Sequence, residues 1–156
     1  IGSSLVGSEM CIRDRKTVIF RYFNVYGDRQ PLRGQYAPVI GIFLRQLAAG
    51  EPLTIVGDGE QRRDFVNVKD VCRANIMAAI SNPDDKAYGQ VYNVGTGRNY
   101  SVNEIAKMFN TKTTNIPPRP GEARISLANA DKIYKTFAWK PVVVLEDWIK
   151  ERLNGK

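Results

Sequence analysis

The sequence predicts an α/β fold, on three observations. Short runs rich in β-branched and aromatic residues alternate with apolar stripes of helical spacing. Glycine- and asparagine-containing turns separate the two kinds of segment. The chain has 156 residues and is 43% hydrophobic, enough to bury a real core.

Residues 17–24 (TVIFRYFN) read as a buried strand, and 27–38 as a long polar loop with Gly and Pro. Ile40, Phe43, Leu44 and Leu47 share one helical face, and that helix stops at Gly50. Residues 53–56 form a short strand closed by Gly57-Asp58-Gly59, and 64–68 form another. Asn67 is a candidate N-cap for a helix whose expected core stripe is Val68, Cys72, Ile76 and Ile80. A strand over 91–94 runs into Gly95-Thr96-Gly97. Ser101 and Glu104 have the spacing of a capping box, opening a helix with Val102, Ile105, Ala106 and Phe109 on its apolar face. Residues 114–118 are extended, and two helices follow near 129–137 and 145–153. Residues 1–15 show neither period. They look like translated read-through of a sequencing adapter and read as a non-native leader, leaving 16–153 as the native segment.

Composition narrows the function. No apolar run approaches the length of a membrane span, and nothing at the start has a signal-peptide layout, so a reducing cytoplasm is expected. The chain contains no histidine, which excludes Ser-His-Asp and Cys-His catalysis within it and leaves little for zinc. The net charge is +7, but Lys and Arg are scattered, so nucleic acid is not the expected partner.

Four segments could carry chemistry. Asn24 ends a strand where open α/β sheets bind ligands, with Gly27 just beyond; the same residues could simply make a turn. Arg63 begins a strand after a glycine-flanked turn, and could fork onto a diphosphate or pair with Asp64 or Asp70. Gly95-Thr96-Gly97 invites a dinucleotide reading, but Tyr100 stands where the third glycine belongs, so a tight turn is favoured. In the Pro-rich stretch 117–122, Arg119 suits a phosphate and Glu122 a ribose diol, unless the loop is merely solvated.

Together, in this order and spacing, the four segments resemble the extended short-chain dehydrogenase/reductase family. The likeness runs from Lys16 to Leu153 and is greatest to NAD-dependent UDP-glucose and UDP-N-acetylglucosamine 4-epimerases. The resemblance implies the late strands of a Rossmann-type parallel sheet plus the smaller C-terminal substrate-binding domain, as a truncated fragment. It places Phe23 near the nicotinamide of NAD and Asn24 against the ligand's diphosphate or sugar. Tyr36 lies in the segment passing the nucleotide base, and Leu53 and Ile55 in the base-binding strand. Arg63 and Arg119 match two phosphate-binding arginines, and Glu122 the acidic residue holding the ribose. Ser126 matches a position limiting room around the sugar's 2-substituent, where a small side chain tolerates an acetamido group.

The family's chemistry is removal of hydride from the sugar's C4 by NAD and its return to the other face, with a Tyr-x-x-x-Lys pair deprotonating the hydroxyl. None of the seven tyrosines here has Lys four residues on, and the glycine-rich NAD loop is absent. The expectation is therefore a UDP-sugar-binding portion with no catalytic residue of its own, inactive alone, from a homodimeric parent whose dimer helices it lacks. A nucleotide-sugar 4,6-dehydratase or UDP-glucuronate decarboxylase parent shares these motifs. A non-catalytic nucleotide-sugar-binding fragment is the reading from another class.

Overall fold

The computed structural model describes residues 16–34 and 37–155. The leader expected over 1–15 and the candidate Tyr36 lie outside the described residues. In chain order the elements are β1 (Ile19–Tyr22), β2 (Asn24–Tyr26), α1 (Val39–Ala48), β3 (Leu53–Val56), β4 (Arg62–Asn67) and α2 (Val68–Ile80). After a 3₁₀ turn at Asp85–Ala87 come β5 (Val91–Val94), β6 (Asn99–Ser101), α3 (Val102–Phe109), β7 (Thr113–Ile116), α4 (Asp131–Phe137) and α5 (Leu145–Asn154). The fold is mixed α/β with parallel pairing dominant. β1 pairs with β5, β2 with β4 and β3 with β7 in parallel, while β4 and β6 are antiparallel. No helix among the described residues is long and apolar enough to cross a membrane.

The single strand expected over 17–24 divides at Phe23. Up to Tyr22 the run pairs with β5, and the Phe23 N–H still donates to Val94 O at 3.0 Å. From Asn24 it pairs with β4 instead, Asn24 facing Phe65. The break is a change of partner. It sets Phe23 and Asn24 at the carboxyl end of β1, the position where parallel sheets take ligands.

β4 separates two apolar clusters. Phe65 packs with Tyr26, Phe43, Leu53, Ile105, Phe109 and Trp148. Val66, the next residue, points the other way, among Tyr92, Val94, Ile133, Phe137 and Trp139. Because β4 is covered on both sides from Asp64 to Asn67, it lacks the polar alternation of a half-exposed strand.

Two helix starts form as the local sequence dictates. Ser101 Oγ accepts from the Glu104 N–H, and the Glu104 carboxylate accepts from the Ser101 N–H at 2.7 Å. That bond is the main cause holding the Glu104 carboxyl below its usual range, with Arg62 adding to it. All four apolar positions expected on α3 are buried. Asn67 caps α2 by accepting from the Lys69 N–H at 2.9 Å.

The expected core face of α2 is corrected. Val68, Ile76 and Ile80 are 40%, 57% and 78% exposed, and Cys72 is exposed as well. The buried arc carries Asp70, Val71 and Ala74. The helix is apolar on two arcs, and packing selects the one where small Ala74 allows close approach and Asp70 finds donors. The Asp70 carboxylate accepts from the Val142 and Val143 N–H groups, and its backbone oxygen accepts from the Trp139 indole.

Candidate functional site

A cavity of about 410 Å³ opens beside β2, β3 and β4. Its walls include Asn24 and Phe65, Ala37 to Val39 at the start of α1, Thr54 and Val56 of β3, and three charged residues, Arg63, Arg119 and Glu122. The two arginines singled out in the sequence, 56 positions apart, therefore face one cavity together with the expected acidic partner.

Arg63 is held in place. Its Nη1 donates to Arg62 O at 2.9 Å and its Nη2 to Glu122 Oε1 at 3.2 Å. The alternative pairings with Asp64 or Asp70 do not form, because both of those carboxylates are already engaged by backbone N–H groups. The Arg63 side chain is only 18% exposed, so a guanidinium fork is held in the cavity wall by one neighbouring carboxylate and one carbonyl. Arg119 is exposed and makes no ion pair among the described residues.

The segment that supplies Arg119, Glu122 and Ser126 is fastened at several points. Arg124 makes a bidentate pair with Asp58, both contacts at 2.8 Å. The Arg62 N–H donates to Arg124 O, the Ser126 N–H to Arg62 O, and the Ala128 N–H to Asp64 Oδ2. The Arg124 guanidinium, helped by the Glu60 N–H, brings the Asp58 carboxyl down to about 2. A depressed folded-state value means the contribution is present above the unfolded carboxylate range and is lost as pH falls through about 2. In an NMR titration the Asp58 carboxyl should show its midpoint near 2; an ordinary aspartate midpoint would show that this fastening does not persist in solution.

The Leu53 and Ile55 side chains are turned from the cavity, leaving only their backbone for a ligand. They are 0% and 5% exposed and face the core, while Thr54 and Val56 face the cavity. The strand lies at the site, but two-residue alternation turns those side chains away. The apolar pair in Leu53-Thr-Ile-Val was itself the signal for the inward face. Gln61, also unanticipated, lines the cavity and donates to Val56 O at 3.1 Å. Gly27 permits close approach, but to Val68: a Cβ there would sit 2.4 Å from Val68 Cγ1.

Asn24, Phe23 and Ser126 come together in a second, open depression with Arg21 and Tyr22. Asn24 borders both depression and cavity, and its Nδ2 donates to Asp64 O at 2.9 Å. Of the sequence-identified residues, Asn24, Arg63, Arg119 and Glu122 line the cavity, and Asn24 joins it to the depression lined by Phe23 and Ser126.

Residues 8–95, more than half of the chain, match the NAD dependent epimerase/dehydratase family. The chain belongs to this family. It is 36% identical over 137 residues to the UDP-glucose 4-epimerase of Mycolicibacterium smegmatis, covering 84% of this chain and 42% of that protein. Among solved structures it resembles the UDP-glucose 4-epimerase of Thermotoga maritima, determined with UDP-glucose, at TM-score 0.79 and 35% identity, covering 91% of this chain and 48% of the other. It also resembles the UDP-N-acetylglucosamine 4-epimerase of Methanobrevibacter ruminantium, determined with UDP-N-acetylmuramic acid, at TM-score 0.80 and 33% identity, covering 90% and 46%. The chain spans about half the length of these relatives.

Two features of the described residues bear on NAD. Phe23 offers one aromatic face at the depression. The Gly95-Thr96-Gly97 turn, which could otherwise present N–H groups to a phosphate, gives those of Thr96 and Gly97 to the Asp64 carboxylate at 2.8 and 2.9 Å. That turn therefore has neither N–H group free for a phosphate.

Proposed function

We propose that this chain is the nucleotide-sugar-binding portion of an NAD-dependent UDP-hexose 4-epimerase. The observation that carries the reading is the meeting of Arg63, Arg119 and Glu122 at one cavity whose rim is Asn24. Two guanidinium groups suit the two phosphates of a diphosphate, and a carboxylate can accept from a ribose diol. Thr54, Val56 and Phe65 offer a largely apolar wall for a flat base, while Asn24 and Ser126 would meet the hexose. The relatives named for UDP-glucose and UDP-N-acetylglucosamine support the same ligand class.

In this reading the chain binds and orients, and turns nothing over by itself. Hydride transfer at the sugar's C4 belongs to the intact parent with its NAD. Calorimetric titration with UDP, UDP-N-acetylglucosamine, NAD and duplex DNA tests the proposal. UDP ligands should bind and NAD negligibly; salt-sensitive DNA binding with indifference to UDP would overturn it.

Ser126 refines the ligand. A small residue at the depression leaves room for an acetamido group, so Ser126→Tyr should lower affinity for UDP-N-acetylglucosamine relative to UDP-glucose by roughly tenfold, the scale of one steric mismatch in a pocket. Equal effects on both ligands would remove Ser126 from sugar selection.

A further inference from the structure

We propose that Asp64 is a positioning residue that sets selectivity for the hexose, by suspending both walls of the sugar end of the site from one buried carboxylate and its own backbone. The inference rests on the nucleotide-sugar reading above, and concerns a residue that touches no ligand in it.

Asp64 is 0% exposed, in the middle of β4. Oδ1 accepts from the Thr96 N–H and hydroxyl, both at 2.8 Å. Oδ2 accepts from the Gly97 N–H at 2.9 Å and the Ala128 N–H at 3.0 Å. The backbone oxygen of the same residue accepts from Asn24 Nδ2. Asn24 is one wall of the depression, and Ser126, two residues before Ala128, is another. Asp64 therefore ties down the amide of one wall and the segment carrying the other.

The clearance is also fixed. A Cβ at Gly95 would lie 2.4 Å from Ala128 Cβ and 3.1 Å from Asp64 Oδ2, so the turn packs too closely on Ala128 to admit a side chain. The diphosphate end has further fastenings of its own, Asp58 with Arg124 and Arg63 with Glu122. Disturbing Asp64 should accordingly loosen the sugar end and spare the nucleotide end.

Asp64→Asn keeps the size but swaps one acceptor oxygen for a donor. Three N–H groups and the Thr96 hydroxyl converge on this carboxylate; the hydroxyl can turn to Arg98 O, but whichever way an amide group faces, at least one of the N–H groups of Thr96, Gly97 and Ala128 loses its acceptor. Gly95→Ala presses chiefly on Ala128, at 2.4 Å, and more lightly on the carboxylate, at 3.1 Å; adding Ala128→Gly removes the first and closer of these contacts.

The test is calorimetric titration of each folded variant with UDP, UDP-glucose and UDP-N-acetylglucosamine. The expected result is UDP affinity within about twofold of the parent chain, while the ratio between the two sugar ligands moves toward one by about fivefold or more, the loss of roughly one hydrogen bond's worth of definition. Gly95→Ala should shift the ratio in the same sense, and the double variant should restore it. If Asp64→Asn does not fold, the Gly95 pair decides. Equal losses for UDP and both sugars, or an unchanged ratio, overturn the proposal and leave Asp64 as scaffold. A parent chain that does not bind UDP overturns the nucleotide-sugar reading itself.

Discussion

Arg63→Ala weakens UDP binding by about 10- to 150-fold, the equivalent of one charge-assisted contact of roughly 1.5–3 kcal/mol. The large end of that range is favoured by the surroundings. Arg63 is the more enclosed partner of its pair with Glu122, and its removal leaves Glu122 facing the cavity without its counter-charge. A diphosphate would then approach an unneutralised carboxylate. Arg63→Lys should recover only part of the loss, since an ammonium cannot reproduce the two-donor fork that reaches both Arg62 O and Glu122. Arg119→Ala should weaken UDP in the same direction but less, because its exposed side chain is screened by water. Titration with UDP reads all three. Unchanged affinity in Arg63→Ala would remove the diphosphate from this cavity.

Trp139→Ala lowers stability by about 3–5 kcal/mol, the usual consequence of emptying a large aromatic site in a core. Trp139 is 1% exposed and belongs to the cluster on the Val66 side of β4. Its indole N–H donates to Asp70 O at 3.0 Å, so the substitution also strips a buried bond from the contact joining α2 to the segment after α4. Thermal unfolding should shift down by on the order of 10 °C, since 1 kcal/mol corresponds to about 2–4 °C in a domain of this size. A loss below about 1 kcal/mol would show that the second cluster contributes little to holding the fold, contrary to its burial.

The parts of the fold legible in the sequence are those decided locally. The capping box at Ser101 and Glu104 needs two side chains three residues apart, and the face of α3 follows from 3.6-residue spacing alone. The strand over Val91–Val94 and the cap at Asn67 are of the same kind. The face of α2 was not legible, because apolar residues occupy two of its arcs and only tertiary contacts to Val142 and Val143 choose between them. β6, at Asn99–Ser101, was not anticipated either: three residues carry too short a pattern, and the strand depends on pairing with Arg62 to Asp64. In the site, Arg63, Arg119 and Glu122 were recognised as residue types suited to a nucleotide-sugar, but their meeting depends on a return of the chain 56 residues later. Asp64 was read only as a possible partner for Arg63, because its actual donors lie at Thr96, Gly97 and Ala128, far along the chain.

β4 assigns a different task to each successive residue. Arg62 reaches Glu104 at the start of α3, Arg63 enters the cavity, Asp64 gathers the Gly95–Gly97 turn and Ala128, Phe65 and Val66 fill opposite clusters, and Asn67 caps α2. Adding or deleting a single amino acid between positions 62 and 67 would invert every assignment downstream of it. Lengthening is harmless in a surface loop, but here it would turn the Asp64 carboxylate away from its donors and toward an apolar cluster. Point changes can retune this strand, whereas its length leaves no room for evolutionary drift.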